Sequence, residues 1–348
     1  MSNLQVAVDA MGGDHAPEVV IEGVIDYLKE NDKAARNIGV VLVGKEKEIR
    51  KELKKHNYPA ADDIQIVDAL EQISMREHFF SYWRKREQTS IKKALDLVKS
   101  NGAQAMVSAG NTGAVMALAK TVLGPLKPID RPALALMIPT LKGNSLLMDV
   151  GANVDPKPRN LVQFALMGKV YLEYVQGIKN PRIALMSIGE EEVKGNELIK
   201  NTHTILKSLD INFIGNIEGR DAYIGEADLI VTDGFTGNVT LKVAEGVVDV
   251  MLSMLKREIM ENLLSKIGFF FLRRSLKRIK KKMDYAEYGG ALLLGVDGIV
   301  IIGHGRSNAR AIKNAIHLSR KFIEEDVLKK ISEEMESIQE VLKEIKHV

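Results

Sequence analysis

Short apolar, β-branched runs alternate along most of the chain with longer stretches of helical period. Residues 4–9 precede a helix from Pro17, 38–44 precede a helix over 45–56, 64–68 follow, and 104–109 precede a helix from Thr112. Further runs stand at 182–188, 212–215, 228–232 and 298–302. Strands separated by helices build βαβ units, so the pattern predicts an α/β fold with a mostly parallel sheet and flanking helices. Two neighbouring runs, 133–140 and 145–150, have a Lys142-Gly143-Asn144 turn between them, which predicts one antiparallel pair and a mixed sheet. From Ser307 onward the chain reads as nearly continuous helix, with Leu318, Phe322, Val327, Ile331, Ile338, Val341 and Ile345 on apolar faces that pack on the sheet or on another subunit.

At roughly 150 residues per domain, 348 residues make about two lobes. No repeat, low-complexity tract or long linker separates them, so two lobes sharing a cleft are expected. The sequence contains no cysteine, which excludes disulfides, thiolate zinc sites, iron–sulfur clusters and a cysteine acyl-enzyme. No basic segment precedes an apolar one near Met1, so a signal peptide is not read and the cytoplasm is the expected compartment. The longest uncharged run, 100–119, is interrupted by Asn101, Gln104, Asn111, Thr112 and three glycines, which does not suit a bilayer span.

Five strands end in a glycine- or asparagine-rich turn that opens a helix. They are 9–17 (DAMGGDHAP), 108–114 (SAGNTGA), 149–155 (DVGANVD), 189–198 (GEEEVKGNEL) and 233–238 (DGFTGN). In an open parallel sheet such turns are expected at one edge. Helix N-termini present unpaired N–H groups and partial positive charge, so a convergence of them predicts a phosphate or phosphorylated ligand. For any single turn, ordinary helix capping explains the residues as well. No G-x-G-x-x-G follows the first strand and no G-x-x-x-x-G-K-[ST] occurs, so dinucleotide and nucleoside-triphosphate loops are not indicated. The seven histidines form no H-x-x-x-H or H-E-x-x-H, and no carboxylates show metal-ligand spacing, so neither a metal nor another cofactor is expected.

The segment Val8-Asp9-Ala10-Met11-Gly12-Gly13-Asp14-His15-Ala16-Pro17 resembles the N-terminal signature of the bacterial phosphate acyltransferases, the PlsX family. Six further segments match in order and spacing: SAGNTG at 108–113, DRPA at 130–133, DVGANVD at 149–155, KGNEL at 194–198, DGFTGNV at 233–239 and YGGA at 288–291. The resemblance covers essentially the whole chain. It implies transfer of a long acyl chain from acyl carrier protein to inorganic phosphate, giving acyl phosphate for phospholipid synthesis. It also implies a homodimer with the fold of isocitrate and isopropylmalate dehydrogenases, two lobes around a cleft, working without metal or nucleotide.

On that resemblance Lys194 and Asn238 are the expected catalytic residues. Lys194 would bring charge to phosphate or the developing oxyanion, and Asn238 would donate a hydrogen bond from a helix start. Read without the resemblance, Lys194 beside Glu190-Glu191-Glu192 is an ordinary surface lysine. Gly12, Gly13, Asp14, His15, Gly110, Asn111, Thr112, Gly113, Asn153, Gly234, Thr236 and Gly237 are the expected phosphate- and substrate-binding residues. Asp149, Asn153 and Asp233 shape loops more readily than they react.

The overall balance of 49 Lys plus Arg against 46 Asp plus Glu hides a basic segment: 254–285 holds ten basic and three acidic residues. Apolar residues there recur at helical spacing through Leu263, Leu264 and Ile267, followed by Phe269, Phe270 and Phe271 and then Arg273, Arg274 and Lys277. This predicts a surface helix pair with an apolar tip on anionic lipid, with Leu263, Ile267, the three phenylalanines, Arg273, Arg274 and Lys277 as membrane contacts. A solvated dimer helix and a nucleic-acid patch are the other readings of the same residues, and the resemblance favours lipid, with no nucleic acid. Membrane association suits a product passed to a membrane glycerol-3-phosphate acyltransferase. The charge also suits acidic acyl carrier protein, for which 84–86 is a second basic cluster. Between 74 and 90 the sequence departs from the family pattern, with HFFSYW at 78–83 where a more polar stretch is expected. The alternatives are a short-chain phosphotransacetylase using coenzyme A and a non-catalytic protein that binds membranes or nucleic acid.

Overall fold

The computed structural model describes residues 4–31, 38–58, 64–75, 86–282 and 289–338. Eleven strands form one continuous sheet. In chain order they are β1 (Gln5–Asp9), β2 (Gly39–Gly44), β3 (Ile64–Asp68), β4 (Ala105–Ser108), β5 (Ala133–Thr140), β6 (Gly143–Met148), β7 (Ile183–Ser187), β8 (Phe213–Glu218), β9 (Leu229–Val231), β10 (Ala291–Leu294) and β11 (Ile299–Ile302). Across the sheet the order is β3-β2-β1-β4-β11-β10-β5-β6-β9-β7-β8. The helices are α1 (Glu18–Asn31), α2 (Glu46–Lys55), α3 (Ser90–Lys99), α4 (Thr112–Val122), α5 (Pro158–Tyr174), α6 (Glu197–Ser208), α7 (Gly234–Glu261), α8 (Leu263–Lys282), α9 (Ala309–Glu324) and α10 (Val327–Ser337).

Seven of the ten strand pairings are parallel, as the alternation of strands and helices requires. The three antiparallel pairings lie together at the middle of the sheet, β11 with β10, β10 with β5 and β5 with β6. They reverse the strand direction, so β3, β2, β1, β4 and β11 run one way and β6, β9, β7 and β8 run the other. The sheet is therefore mixed, and the five glycine turns do not share an edge. Two follow strands of the first half, three follow strands of the second, and the two sets point toward each other.

Register fixes where they meet. Ser108 of β4 lies opposite Ile302 of β11, Ile302 opposite Ala291 of β10, Leu292 opposite Ala135 of β5, and Ala135 opposite Met148 of β6. The carboxyl ends of β4, β11 and β6 thus arrive at nearly the same level, while the β5–β6 hairpin carries the second half-sheet beyond the first. Thr140 pairs with Gly143, which puts the turn at Leu141-Lys142, so that of the expected Lys142-Gly143-Asn144 turn only Lys142 lies in it and Gly143 and Asn144 belong to β6. Gly143 has φ of +142°, a conformation an L side chain rarely adopts, and this lets β6 start there.

Two hydrophobic layers cover the faces. One, under α1, α5, α9 and α10, includes Tyr27, Phe164, Tyr171 and Phe322; the other, under α3 and α4, includes Ile91, Leu95, Leu118 and Ile302. The C-terminal helix expected from Ser307 is two helices, because Asp326 takes φ +51° between α9 and α10. Leu318, Phe322, Val327 and Ile331 are buried and Ile338 packs at the edge of that layer, so these helices pack on the sheet. Val341 and Ile345 lie outside the described residues. Strand β10 was missed by pattern reading, since its four residues, Ala-Leu-Leu-Leu, follow a glycine pair and have no helix before β11.

Candidate functional site

Beneath each wall of the cleft sits a buried carboxylate. Asp9, at the end of β1, takes a hydrogen bond from Ser108 Oγ at 2.7 Å and one from the Met11 N–H at 3.1 Å, and Ser108 Oγ accepts from the Gly110 N–H. A Cβ on Gly12 would lie 2.6 Å from Asp9 Oδ2 and 2.7 Å from the Gly110 nitrogen, so the first two turns are stacked as closely as backbone allows. Asp149, after β6, accepts from the N–H groups of Leu134, Gly151, Ala152 and Asn153 and from Asn153 Nδ2. Burial raises the pKa of both carboxyls, against the lowering effect of these hydrogen bonds.

The start of α7 sits on the turn that Asp149 shapes. Gly234 N–H donates to the Asn153 carbonyl at 2.7 Å, and a Cβ on Gly237 would fall 1.9 Å from the Asp149 carbonyl oxygen. These glycines were expected to admit a ligand to the backbone; what approaches them is another turn. Asp233 caps the helix, taking the Thr236 N–H at 2.8 Å and the Thr236 hydroxyl at 2.7 Å. Asn153 is buried, and its side-chain amide donates to the Pro132 carbonyl and Asp149, so it faces inward, not into the cleft.

At the junction of the half-sheets lies a cavity of about 310 Å³. Its first-lobe wall carries Thr112 and Gly113 at the start of α4. The second-lobe wall carries Val150 and Gly151, and from α7 Asn238, Leu241, Lys242 and Glu245. That i, i+3, i+4, i+7 spacing is one helical face, and Lys242 is held by Glu245 at 2.8 Å. Leu134, Leu136, Ala291 and Ile302 from the central strands complete the lining. The lining thus combines apolar side chains with an amide, a hydroxyl, a Lys–Glu ion pair and a helix N-terminus.

The expected residues distribute unevenly around this cavity. Asn238, Thr112 and Gly113 line it. Asn111 caps α4, accepting from the Ala114 N–H, and its amide donates to the Met75 carbonyl at 3.2 Å, so its side chain holds the turn in place. Gly12, Gly13 and Gly110 lie in the packed first-lobe turns, with Asp14 and His15 exposed. Gly234, Thr236 and Gly237 seat α7. Lys194 is exposed on the turn after β7 and is not among the cavity-lining residues. Its turn is held by the Asn216 side chain on the Glu191 carbonyl at 3.0 Å and by a Lys207–Glu192 ion pair.

Missing from the expected set are Lys242, Glu245 and a sixth turn after β11, whose Gly303 and His304 line the cavity. The signal for the turn was present, since Gly303-His304-Gly305 leads to Asn308, which caps α9 by accepting from the Ala311 N–H. The two charged residues carried no motif and are placed only by their helical phase from Asn238.

The basic segment forms the outer part of α7 and all of α8. The break between them is at Asn262, so the phenylalanines stand along α8 and not at a tip. Ile267, Phe269, Phe270, Phe271 and Leu272 are exposed, with Arg273 over the Phe270 ring at 4.7 Å and Arg274 and Lys277 following on the helix. The Leu263 side chain and residues 76–85, with the divergent aromatic run and most of the second basic cluster, lie outside the described residues. Among the described residues no helix is long and apolar enough to cross a membrane, and no group of three or more His, Asp or Glu is placed to hold a metal.

Among solved structures the chain is similar to a phosphotransacetylase from Streptococcus pyogenes, with a TM-score of 0.60 at 18% identity over 92% of this chain and 94% of that one. A branched-chain phosphotransacylase from Enterococcus faecalis V583 gives 0.53 at 14% identity over 92% and 99%. These likenesses define the fold class, a two-lobed α/β phosphotransacylase fold. A family model described as fatty acid synthesis protein matches residues 4–330. Proteins named phosphate acyltransferase from Geobacter sulfurreducens and Dictyoglomus turgidum are 49% and 50% identical over 96% of this chain, covering 95% and 98% of their own lengths. The chain belongs to the bacterial phosphate acyltransferase family and is an acyltransferase.

Proposed function

We propose that the protein transfers a long-chain acyl group from the thioester of acyl carrier protein to inorganic phosphate, releasing acyl phosphate and the carrier thiol. The observation that carries this reading is the cavity at which Thr112 and Gly113 of one lobe face Asn238 and Lys242 of the other across an apolar floor, in a chain that matches phosphate acyltransferases over nearly its full length. An anion belongs at the α4 N-terminus, and an acyl group belongs on the leucine and isoleucine side chains beneath. Phosphate is already an oxygen nucleophile, so the site's task is to hold it in line with the carbonyl and to stabilise the oxyanion that forms. Asn238 is the donor placed to do so, and Lys194 brings positive charge from the neighbouring turn when the carrier is bound.

The supports for partners are surface features. Along α7, Val239, Val243, Val247, Val250 and Met254 form one exposed stripe at helical spacing, and such a stripe is covered by a second copy in a homodimer. The exposed phenylalanines of α8 with Arg273, Arg274 and Lys277 suit an anionic membrane surface or the acidic carrier. This reading makes the protein a peripheral membrane enzyme of the cytoplasm that supplies acyl phosphate to a membrane glycerol-3-phosphate acyltransferase for phospholipid synthesis.

The deciding experiment follows thiol release from long-chain acyl carrier protein with and without phosphate, beside the matching acyl-coenzyme A and acetyl-coenzyme A. Phosphate-dependent release from the carrier is expected. Release from acetyl-coenzyme A alone would make the protein a short-chain phosphotransacetylase, and none from any thioester would end the reading.

A further inference from the structure

Among the described residues that line the cavity, Lys242 and Glu245 carry the formal charges. Burial lowers the pKa of His304, the remaining titratable residue of the wall, which leaves it uncharged at neutral pH. An anion entering the cavity therefore finds one cation in the wall, and that cation is already held: Lys242 Nζ donates to Glu245 Oε2 at 2.8 Å. The charged ends of both residues reach toward the first lobe. Each acts on the His304 ring, and the turn that carries this ring is fixed to the first lobe by Gly303 N–H on the Ser108 carbonyl and Asp14 N–H on the Gly305 carbonyl.

The pair does little for the fold. It joins two residues of one helix, and a lysine ahead of a glutamate is the less favourable order for helix support. Neither side chain makes another ion pair or hydrogen bond among the described residues. The side chains are 59% and 39% exposed, so water screens the pair and its partners exchange readily.

We propose that Glu245 is an internal stand-in for substrate phosphate: it neutralises Lys242 before phosphate binds, yields that lysine to inorganic phosphate, and takes it back as acyl phosphate leaves. This rests on the reading of the protein as an acyltransferase to phosphate. The exchange makes and breaks no covalent bond and moves no proton. Phosphate brings more charge and more acceptor oxygens than a carboxylate, and the Thr112 hydroxyl and the α4 N-terminus share the wall with Lys242, so phosphate displaces Glu245. The displaced carboxylate stays close enough to repel it, which sets phosphate affinity below what Lys242 alone would give. As the product departs, the same carboxylate competes for the lysine and favours release.

Two measurements on the full-length protein test the exchange, equilibrium dialysis with inorganic phosphate alone and the phosphate KM in the thiol-release assay. Lys242→Gln should weaken phosphate in both by about 10-fold or more, with the KM for the acyl donor little changed. Glu245→Gln should strengthen phosphate in both by about threefold, and added acyl phosphate should slow this variant more than wild type. A pair that only held the helix would lose phosphate affinity on either substitution, so a glutamine at 245 that binds phosphate no better than wild type overturns the proposal. A Lys242→Gln effect confined to the KM of the acyl donor also overturns it, and would assign the lysine to a phosphate group on the carrier. If Lys242→Gln fails to fold, Glu245→Gln, a swap of nearly the same shape, still decides. In a wild type without phosphate-dependent turnover the acyl-transfer reading falls, and dialysis alone decides the exchange by the same two shifts. Unmoved phosphate constants beside an active wild type remove only the exchange, and a wild type that neither turns over nor binds phosphate removes both.

Discussion

Asp9 and Asp149 look alike in sequence, each an aspartate closing a strand before a glycine turn, yet their surroundings differ. Asp149 accepts only from N–H groups, so an amide in its place would turn a donor on donors. Asp9 has a hydroxyl among its partners, Ser108 Oγ, which can reverse its hydrogen bond. The Asp9 carboxyl, raised by burial, binds a proton in the folded state at pH values where the unfolded chain has lost it. Its contribution to stability is therefore present below the ordinary carboxylate pKa and declines as pH rises through the raised one. Urea unfolding from pH 4 to 7 should show Asp9→Asn gaining stability relative to wild type as pH rises, and a difference independent of pH would contradict this. Chemistry at single residues makes a second prediction. Lys194→Ala and Asn238→Ala should each lower turnover by about 100-fold in protein that melts normally, and wild-type rates would remove those assignments. Asn238 was legible in the sequence as the end of a strand–turn–helix motif. Lys242, one turn later, was not, since a lysine on a helix is distinguished only by the wall it faces.

At the scale of elements, the glycine turns act as joints between helices and strands. Gly237→Ala would drive a methyl against the Asp149 carbonyl, where backbone cannot yield, and α7 would have to lift off its seat. The expected result is a loss of stability of roughly 3 kcal/mol or more together with lost activity, measured by thermal melting and thiol release. A soluble, fully stable variant would refute the packing account. Strand–helix alternation made most elements legible, with ends shifted by a residue or two, because each strand is bounded by turn residues. The break at Asp326 was not, since nothing in its neighbourhood but a left-handed backbone angle separates α9 from α10. For α8, the double substitution of Phe269 and Phe270 by Asp should abolish sedimentation with anionic liposomes and leave turnover in solution intact. Retained liposome binding would point to the basic residues alone.

For the molecule as a whole, the order of strands was beyond reach of pattern reading, because direction depends on which strand each run pairs with. β10, the short strand that went unread, is one of those that reverse the sheet, and without it the five turns seemed to share an edge. The same strands join the halves by a continuous ladder: Ala291 and Leu292 on β11, Leu292 to Leu294 on β5, and Ala135 to Thr140 on β6. Hydrogen exchange should therefore find the amides of β5 and β10 among the slowest in the protein, alongside β1 and β6, and faster exchange at this join than in either lobe would contradict the ladder. Many two-lobed enzymes swing on a hinge, closing over substrate and opening to free product. Here the cleft floor is itself sheet, and swinging the lobes apart would shear a run of backbone hydrogen bonds between strands buried on both faces. An entry route that leaves this ladder intact runs past the residues at the rim, Thr112 and Gly113 of α4 and Lys242 and Glu245 of α7, with no need for the lobes to part.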